Sequence, residues 1–375
     1  GREVMRILPR VNEAVNEEWI SDKTRHVVDG LRTQRLDRPY IRENGKLRAA
    51  SWTEAFAAIA ARVARSDGKR MGAIAGDLAA VEDMFALKDL LTQFGSVNLA
   101  TQRTAAFDPK AGRASYLFNP TIVGIEQADA LLIVGSNPRK EAAVLNARIR
   151  KRWRTGQMKV GLIGEQADLT YKYEHLGAGV ETLCDLAGGK HSFADVLKNA
   201  KNPIILVGTG ATGRNDGAAV LAAAAKLATD VGAVKDGWNG FAVLHSAAST
   251  VGALDIGFVP GEGGLDVAQM TVNGTLDVLF SLGADEIDVA EGTFVVYIGT
   301  HGDRGAHRAD VILPGAAYTE KSGLYVNTEG RVQMANRAGF PPGEAREDWA
   351  IIRALSDVLG KKLPYDSLGQ LRQAL

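Results

Sequence analysis

The stretch "LLIVGSNPRKEAAVLNARIRKR", residues 131–152, reads as a strand, a tight turn and a helix. Leu131, Leu132, Ile133 and Val134 run into Gly135, and Pro138 then opens an amphipathic helix. In α/β proteins such a turn lies at the carboxyl end of a strand, where nucleotides and phosphates rest. Similar strand-then-glycine units are "KVGLIGEQ" (159–166), "PIILVGTGATG" (203–213), "DVLFSLGADE" (277–286) and "FVVYIGTHGD" (294–303). Short continuous apolar strands alternating with helices predict parallel sheets covered on both faces. There are too many strands for one modest sheet, so two doubly wound units are expected. Their strand ends should gather at edges where ligands bind.

Working outward, "SWTEAFAAIAARVARS" begins with Ser51 as N-cap and Glu54 at capping-box spacing. "MGAIAGD" predicts a buried strand, and "AVEDMFALKDLLTQFG" a helix closed by Gly95. The first 47 residues are polar and basic, which predicts extended structure with short turns and no core of its own. After Pro314 a short polar-capped helix is expected, followed by "VNTEGRVQ", dense in hydrogen-bonding side chains. The latter is either a polar ligand loop or a turn in which Asn327 and Thr328 cap their own backbone.

Composition narrows the function. The 375 residues allow about two or three domains. Lys+Arg and Asp+Glu both number 44, which argues against a nucleic-acid partner. No apolar run approaches the roughly 20 residues needed to cross a bilayer, so no membrane insertion is expected. The lone Cys184 excludes an internal disulfide. It also falls short of the set of about four cysteines that holds an iron–sulfur cluster. The start at Gly1, without Met or signal-like segment, suggests a piece of something longer. The six histidines fall in no metal-ligand spacing. Neither a nucleophile elbow nor a P-loop lysine is present.

"GTGATG", residues 208–213, is a literal GxGxxG after a strand and before an Ala-rich helix. Asp236 follows roughly 20 residues later, about where a ribose-binding acid would fall. Against dinucleotide binding, only "VGAV" is available for the intervening strand, and a glycine is needed wherever a strand turns tightly into a helix. The runs "NARIRKRWR" and "GLRTQRLDR" are either solvated faces or docking surfaces for an acidic neighbour.

"ADVILPGAAYTEKSGLYVNTEGRVQ" (309–333) resembles a pattern of the molybdopterin oxidoreductase superfamily, the fold of formate dehydrogenases and DMSO reductases. "ADALLIVGSNPRKEAAVLNARIRKR" (128–152) resembles its Gly-x-Asn-Pro turn, and "GALDIGFVPGEGG" (252–264) another of its landmarks. "NEEWISDKTRHVVDGLRTQRLDRPYIR" (16–42), the run 108–153 and "GLIGEQADLTY" (161–171) are similar to one branch. That branch is the large iron–sulfur subunits of NADH:quinone oxidoreductase, respiratory complex I. The likeness spans nearly the whole chain.

The resemblance implies two α/β domains, one inserted in the other. Residues 48–117 with 251–345 would form the outer domain and 118–250 the insert. Residues 1–47 would follow missing iron–sulfur domains that carry 4Fe-4S and 2Fe-2S clusters, and 346–375 would be a truncated helical segment. Molybdenum enzymes of this fold take their metal ligand from the region corresponding to 98–128, which has no cysteine here. Asp108 and Ser115 remain possible ligands on chemistry. Complex I relatives carry Asp-Cys-Arg-Gln-Asp-Gly where this chain has Ala100, Thr101, Gln102, Arg103, Thr104 and Ala105.

A bis-pterin cofactor would have Gly135 and Asn137 on one side, and Gly283, Asp285, Thr328, Glu329 and Arg331 on the other. Complex I uses no molybdenum, so the resemblance implies a vestigial cleft and no catalytic residue or metal. The expected role is structural: positioning cluster-bearing domains and docking peripheral-arm subunits, including the NADH-oxidising flavin subunit. The implied location is peripheral, at the cytoplasmic face of a bacterial inner membrane or the matrix side in mitochondria. The alternatives are an active molybdenum or tungsten bis-pterin oxidoreductase, and a dinucleotide-binding domain using Gly208, Gly210 and Gly213.

Overall fold

A computed structural model describes residues 3–103, 107 and 111–375. In chain order, β1 (Tyr40–Glu43), β2 (Lys46–Ala49), β3 (Met71–Ala75) and β4 (Asn98–Thr101) come first. Then follow β5 (Ala130–Val134), β6 (Lys159–Ile163), β7 (Glu174–Gly177) and β8 (Pro203–Val207). A small hairpin, β9 (Val234–Lys235) and β10 (Trp238–Asn239), precedes β11 (Phe241–Val243). The chain ends with β12 (Val278–Leu282), β13 (Phe294–Gly299), β14 (Val311–Pro314) and the hairpin β15 (Gly323–Val326) and β16 (Val332–Ala335).

Two doubly wound sheets result. The larger runs β2-β1-β14-β13-β12-β3-β4, parallel from β14 to β4, with β1 and β2 antiparallel at one side. The smaller runs β11-β8-β5-β6-β7 and is parallel throughout. The chain leaves the larger sheet after β4, completes the smaller one and returns at β12. The larger sheet begins inside the segment expected to be merely extended, since β1 pairs with β14 through Tyr40 and Ile41.

The continuous apolar runs arise because each sheet is covered twice. In β5, Ala130, Leu132 and Val134 enter one core cluster while Leu131 and Ile133 enter another. In β12, Val278, Phe280 and Leu282 face one side and Leu279 the other. The strand period of two thus sends alternate residues to opposite layers, both dry. The helix Trp52–Val63 has the expected capping box, with Ser51 accepting from the Glu54 amide and Glu54 accepting from the Ser51 amide. The helix Val81–Thr92 ends before Gly95, whose φ is +80°. Its Leu87, Leu90 and Leu91 share a core with Ile351, Ile352 and Leu355 of the helix Asp348–Val358.

The short helix expected after Pro314 does not form. Residues 318–320 make a single turn, closed by the Glu320 amide donating to the Ala317 carbonyl. Tertiary contacts override local helix preference here. Glu320 receives both arms of the Arg35 guanidinium, at 2.7 and 2.5 Å, across the base of the sheet.

Candidate functional site

At the carboxyl edge of the smaller sheet, β5 and β8 deliver two glycine turns into contact. Gly135 has φ +60°, and a Cβ there would lie 2.6 Å from the Ala211 amide nitrogen. A Cβ on Gly210 would lie 2.7 Å from the Gly135 carbonyl oxygen. Both positions therefore exclude a side chain. Beside them lies a cavity of about 810 Å³, lined among others by Gly135, Asn137, Glu141, Glu165 and Arg214.

Several donors at this turn are already taken. The Ser136 hydroxyl donates to Glu141 Oε2 at 3.0 Å, and the Asn137 amide donates to Glu141 Oε1 at 2.6 Å. Arg139 is paired with Asp168 and Arg214 with Asp216. The Asn137 side-chain oxygen is buried without a partner, and it is an acceptor. A carboxylate from the same chain thus holds two of the donors that this turn presents.

Gly283 and Asp285 belong to a second cavity, of about 300 Å³, at the carboxyl edge of the larger sheet. Burial, and then the neighbouring Asp303 carboxylate, push the Asp285 carboxyl up to about 6. Asp77, Glu286 and Asp348 also line it, against the single cation Lys321. Lys321 is itself spent on Asp83, at 2.7 Å, and on Asp348. Burial in that triad pushes the Asp348 carboxyl up against the pull of Lys321, with Asp83 adding to the rise. Carboxylates outnumber cations in this lining, with Asp77 and Glu286 both paired to Arg103.

Thr328, Glu329 and Arg331 line neither cavity. They form the β15–β16 turn and tie it to the smaller sheet. The Thr328 hydroxyl donates to the Val243 carbonyl at 3.0 Å, and the Phe118 amide to the Thr328 carbonyl at 2.8 Å. Glu329, 3% exposed, accepts from the Ile122 amide at 2.8 Å and from Arg331 Nε at 2.7 Å. Asn327 Oδ1 accepts from the amides of Glu329 and Arg331, the self-capping turn expected for Asn327. The expected two-sided grouping is therefore distributed over two cavities and one tether.

Asp108, Thr104 and Ala105 lie outside the described residues. The Ser115 hydroxyl donates to the Gly112 carbonyl at 2.7 Å. Among the described residues no three of His, Cys, Asp and Glu gather in a metal-binding group. Arg103 bridges Asp77 and Glu286, and the Gln102 side chain accepts from the Glu286 amide, so this part of the 100–105 run braces the second cavity. Among the described residues three features weigh against a bis-pterin metal centre: Glu141 holds two donors of the turn, carboxylates outnumber cations in the lining of the second cavity, and the segment 98–128 has no cysteine.

The GxGxxG run requires a correction. Directly after Gly208 the chain forms the short helix Thr209–Thr212, packed on the Gly135 turn. The expected Ala-rich helix, Gly217–Asp230, follows it, but beyond that helix the chain pairs as the β9–β10 hairpin, and Asp236 sits exposed in its turn. Its partner Gly237 has φ +75°, so Asp-Gly serves the hairpin and Asp236 supplies no ribose contact at a sheet edge. Glu141 and the Lys321–Asp83–Asp348 triad were not foreseen. Glu141 lies four residues after Asn137, one beyond the capping-box spacing, so the sequence carries no standard cap signal there. The triad joins residues far apart in sequence and carries no local signal.

A molybdopterin oxidoreductase family model matches residues 35–358. A model of the NADH-ubiquinone oxidoreductase NDSU1/NuoG-like 4Fe-4S domain matches residues 1–29. The chain is 48% identical, over its whole length, to the mitochondrial NADH-ubiquinone oxidoreductase 78 kDa subunit of Neurospora crassa, covering 51% of that protein. It is also 48% identical to an NADH-quinone oxidoreductase subunit of Rickettsia bellii, covering 54% of it. Identity to the mitochondrial NADH dehydrogenase [ubiquinone] iron-sulfur protein 1 of Solanum tuberosum is 45%, covering 50% of it. The chain thus spans about half the length of the curated relatives it matches. Among solved structures, acetylene hydratase from Pelobacter acetylenicus superposes with a TM-score of 0.75 at 13% identity, over 96% of this chain and 66% of that one. A chain of the formyltransferase/hydrolase complex of Methylorubrum extorquens gives 0.61 at 18% identity, over 86% and 99%. These two likenesses establish the fold alone.

Proposed function

This chain belongs to the molybdopterin oxidoreductase family, and from that premise we propose that it is a non-catalytic structural domain of the large iron–sulfur subunit of NADH:quinone oxidoreductase, respiratory complex I. The relatives at 45–48% identity support the branch. The observation that carries the structural role is the Glu141 carboxylate seated on the donors of Ser136 and Asn137. The cleft keeps the family's turn and fills it with its own side chain.

In this reading electrons pass from NADH through flavin and iron–sulfur centres to quinone, with the clusters held outside this chain. Residues 1–29, which match the 4Fe-4S domain model, contain no cysteine. Any cluster of that domain takes its thiolates from elsewhere. The domain covers the cluster-bearing parts and docks other peripheral-arm subunits, including the NADH-oxidising flavin subunit. It sits peripherally, at the cytoplasmic face of a bacterial inner membrane or the matrix side in mitochondria. No helix among the described residues is long and apolar enough to cross a membrane. The proposed units are 48–117 with 251–345, inserted 118–250, and the flanks 1–47 and 346–375. Pairing of β1 with β14 attaches the end of the first flank to the outer unit.

Elemental analysis of the protein isolated from its own cells, with pterin oxidation fluorescence alongside, tests this. Iron without molybdenum, tungsten or pterin is the expected result. Either metal near one per chain, with fluorescent pterin, would overturn it.

A further inference from the structure

The amino edge of the larger sheet, opposite the family cleft, holds an open cavity of about 500 Å³. Three guanidiniums from three separate elements line it: Arg42 on β1, Arg62 at the end of the helix Trp52–Val63, and Arg308 at the end of the helix Arg304–Arg308. Their fixed partners are mostly main-chain carbonyls. Arg42 donates to the carbonyls of Ala309, Gly45 and His307 at 3.0, 2.9 and 2.6 Å. Arg308 donates to those of Val289, Ala290 and Thr293 at 2.8, 2.6 and 3.0 Å. Arg62 reaches only the Asp277 carbonyl, at 3.4 Å from both Nε and Nη2.

Carbonyls orient a guanidinium without cancelling its charge. Among the described residues neither Arg42 nor Arg62 forms an ion pair with a carboxylate. The cavity has two carboxylates, Asp310 and Glu291. Asp310 is spent on the Val295 amide, at 2.8 Å, and on Arg308, at 3.5 Å. Glu291 is exposed. The lining therefore keeps a formal positive charge with His307 neutral, and unspent N–H donors remain on each of the three forks. Planar forks presented from several sides can engage several oxygens of a tetrahedral oxyanion at once. The volume lies in the range of small-molecule sites.

We propose that this cavity binds a phosphate-bearing small molecule, with Arg42, Arg62 and Arg308 as its ligands. The site is independent of the structural reading above. The test is isothermal titration of the purified full-length subunit with inorganic pyrophosphate at fixed ionic strength. Arg62→Gln is the informative variant, because the native side chain makes only long hydrogen bonds. Saturable binding is expected, weakened about tenfold or more by Arg62→Gln. Arg65→Gln, one turn along on the exposed face, should leave it unchanged. If Arg62→Gln lowers the melting midpoint, Arg62→Lys replaces it, keeping charge and losing the fork, with weakened binding again expected. Absence of saturation at millimolar pyrophosphate overturns the proposal. So does equal weakening by Arg62→Gln and Arg65→Gln, or equally tight binding of succinate.

Discussion

Lys321 is buried and has two carboxylates, Asp83 and Asp348, on its ammonium. Two negative charges and one positive charge are held out of water, which is tolerable only while the cation is present. Lys321→Met should therefore destabilise the protein by about 3–5 kcal/mol, read from denaturant unfolding. Adding Asp348→Asn to that variant should recover part of the loss, because it removes one of the stranded charges. Asp285 gives a separate handle. Its carboxyl is pushed up from the ordinary 3.8 to about 6, so the folded state holds a proton that the unfolded state releases. Stability from this group is full at low pH and lost as pH rises through about 6. Asp285→Asn should flatten the decline between about pH 4 and 6, measured as the midpoint difference from the native protein. Residue-level chemistry of this kind was only partly legible. Asp285 stood out in "GADE", but its partner Asp303 comes from another loop, and nothing local marks Lys321 as buried.

The β15–β16 hairpin is held to the smaller sheet by few bonds, and the buried carboxylate of Glu329 is central to them. Glu329→Ala strands the Ile122 amide, at a cost of about 1–3 kcal/mol. Amide exchange at Ile122 and around Phe118 should rise, while exchange in β12 and β13 stays slow; uniform acceleration would mean that the turn is no separate tether. At this scale the sequence was most readable where both faces of a strand are buried, because a short apolar run ending in glycine, as in Ala130–Val134 before Gly135, leaves few other readings. It was least readable where a distant partner decides. Glu320 turns back to meet Arg35, so "AAYTEKSG" forms a turn and not a helix. The β9–β10 hairpin is a different miss, since Asp236 and Gly237 already spell a tight turn.

For the whole molecule, a net charge of zero conceals where charge is free. The basic run 148–154 reads in the sequence as either a solvated face or a docking surface, and the fold divides it. Arg148 is 4% exposed and held by Glu126 and Glu17, so it belongs to the interior. Lys151 is paired with the same two carboxylates. Arg150 and Arg154 instead line an open groove beside Trp19, which is 55% exposed. An exposed tryptophan beside arginines that form no ion pair among the described residues has the composition of an interface centre, although Glu17 and Glu18 line the groove too. Arg150→Glu combined with Arg154→Glu should therefore reduce recovery of the assembled peripheral arm on gel filtration. The melting midpoint of the purified protein should hold, because among the described residues the one side-chain bond lost is that from Arg150 to the Thr170 carbonyl. Arg148→Glu should do the reverse, lowering the midpoint by burying a repelled charge among carboxylates. Normal assembly of the double variant would exclude the groove as a docking face and leave Trp19 as packing for some other segment.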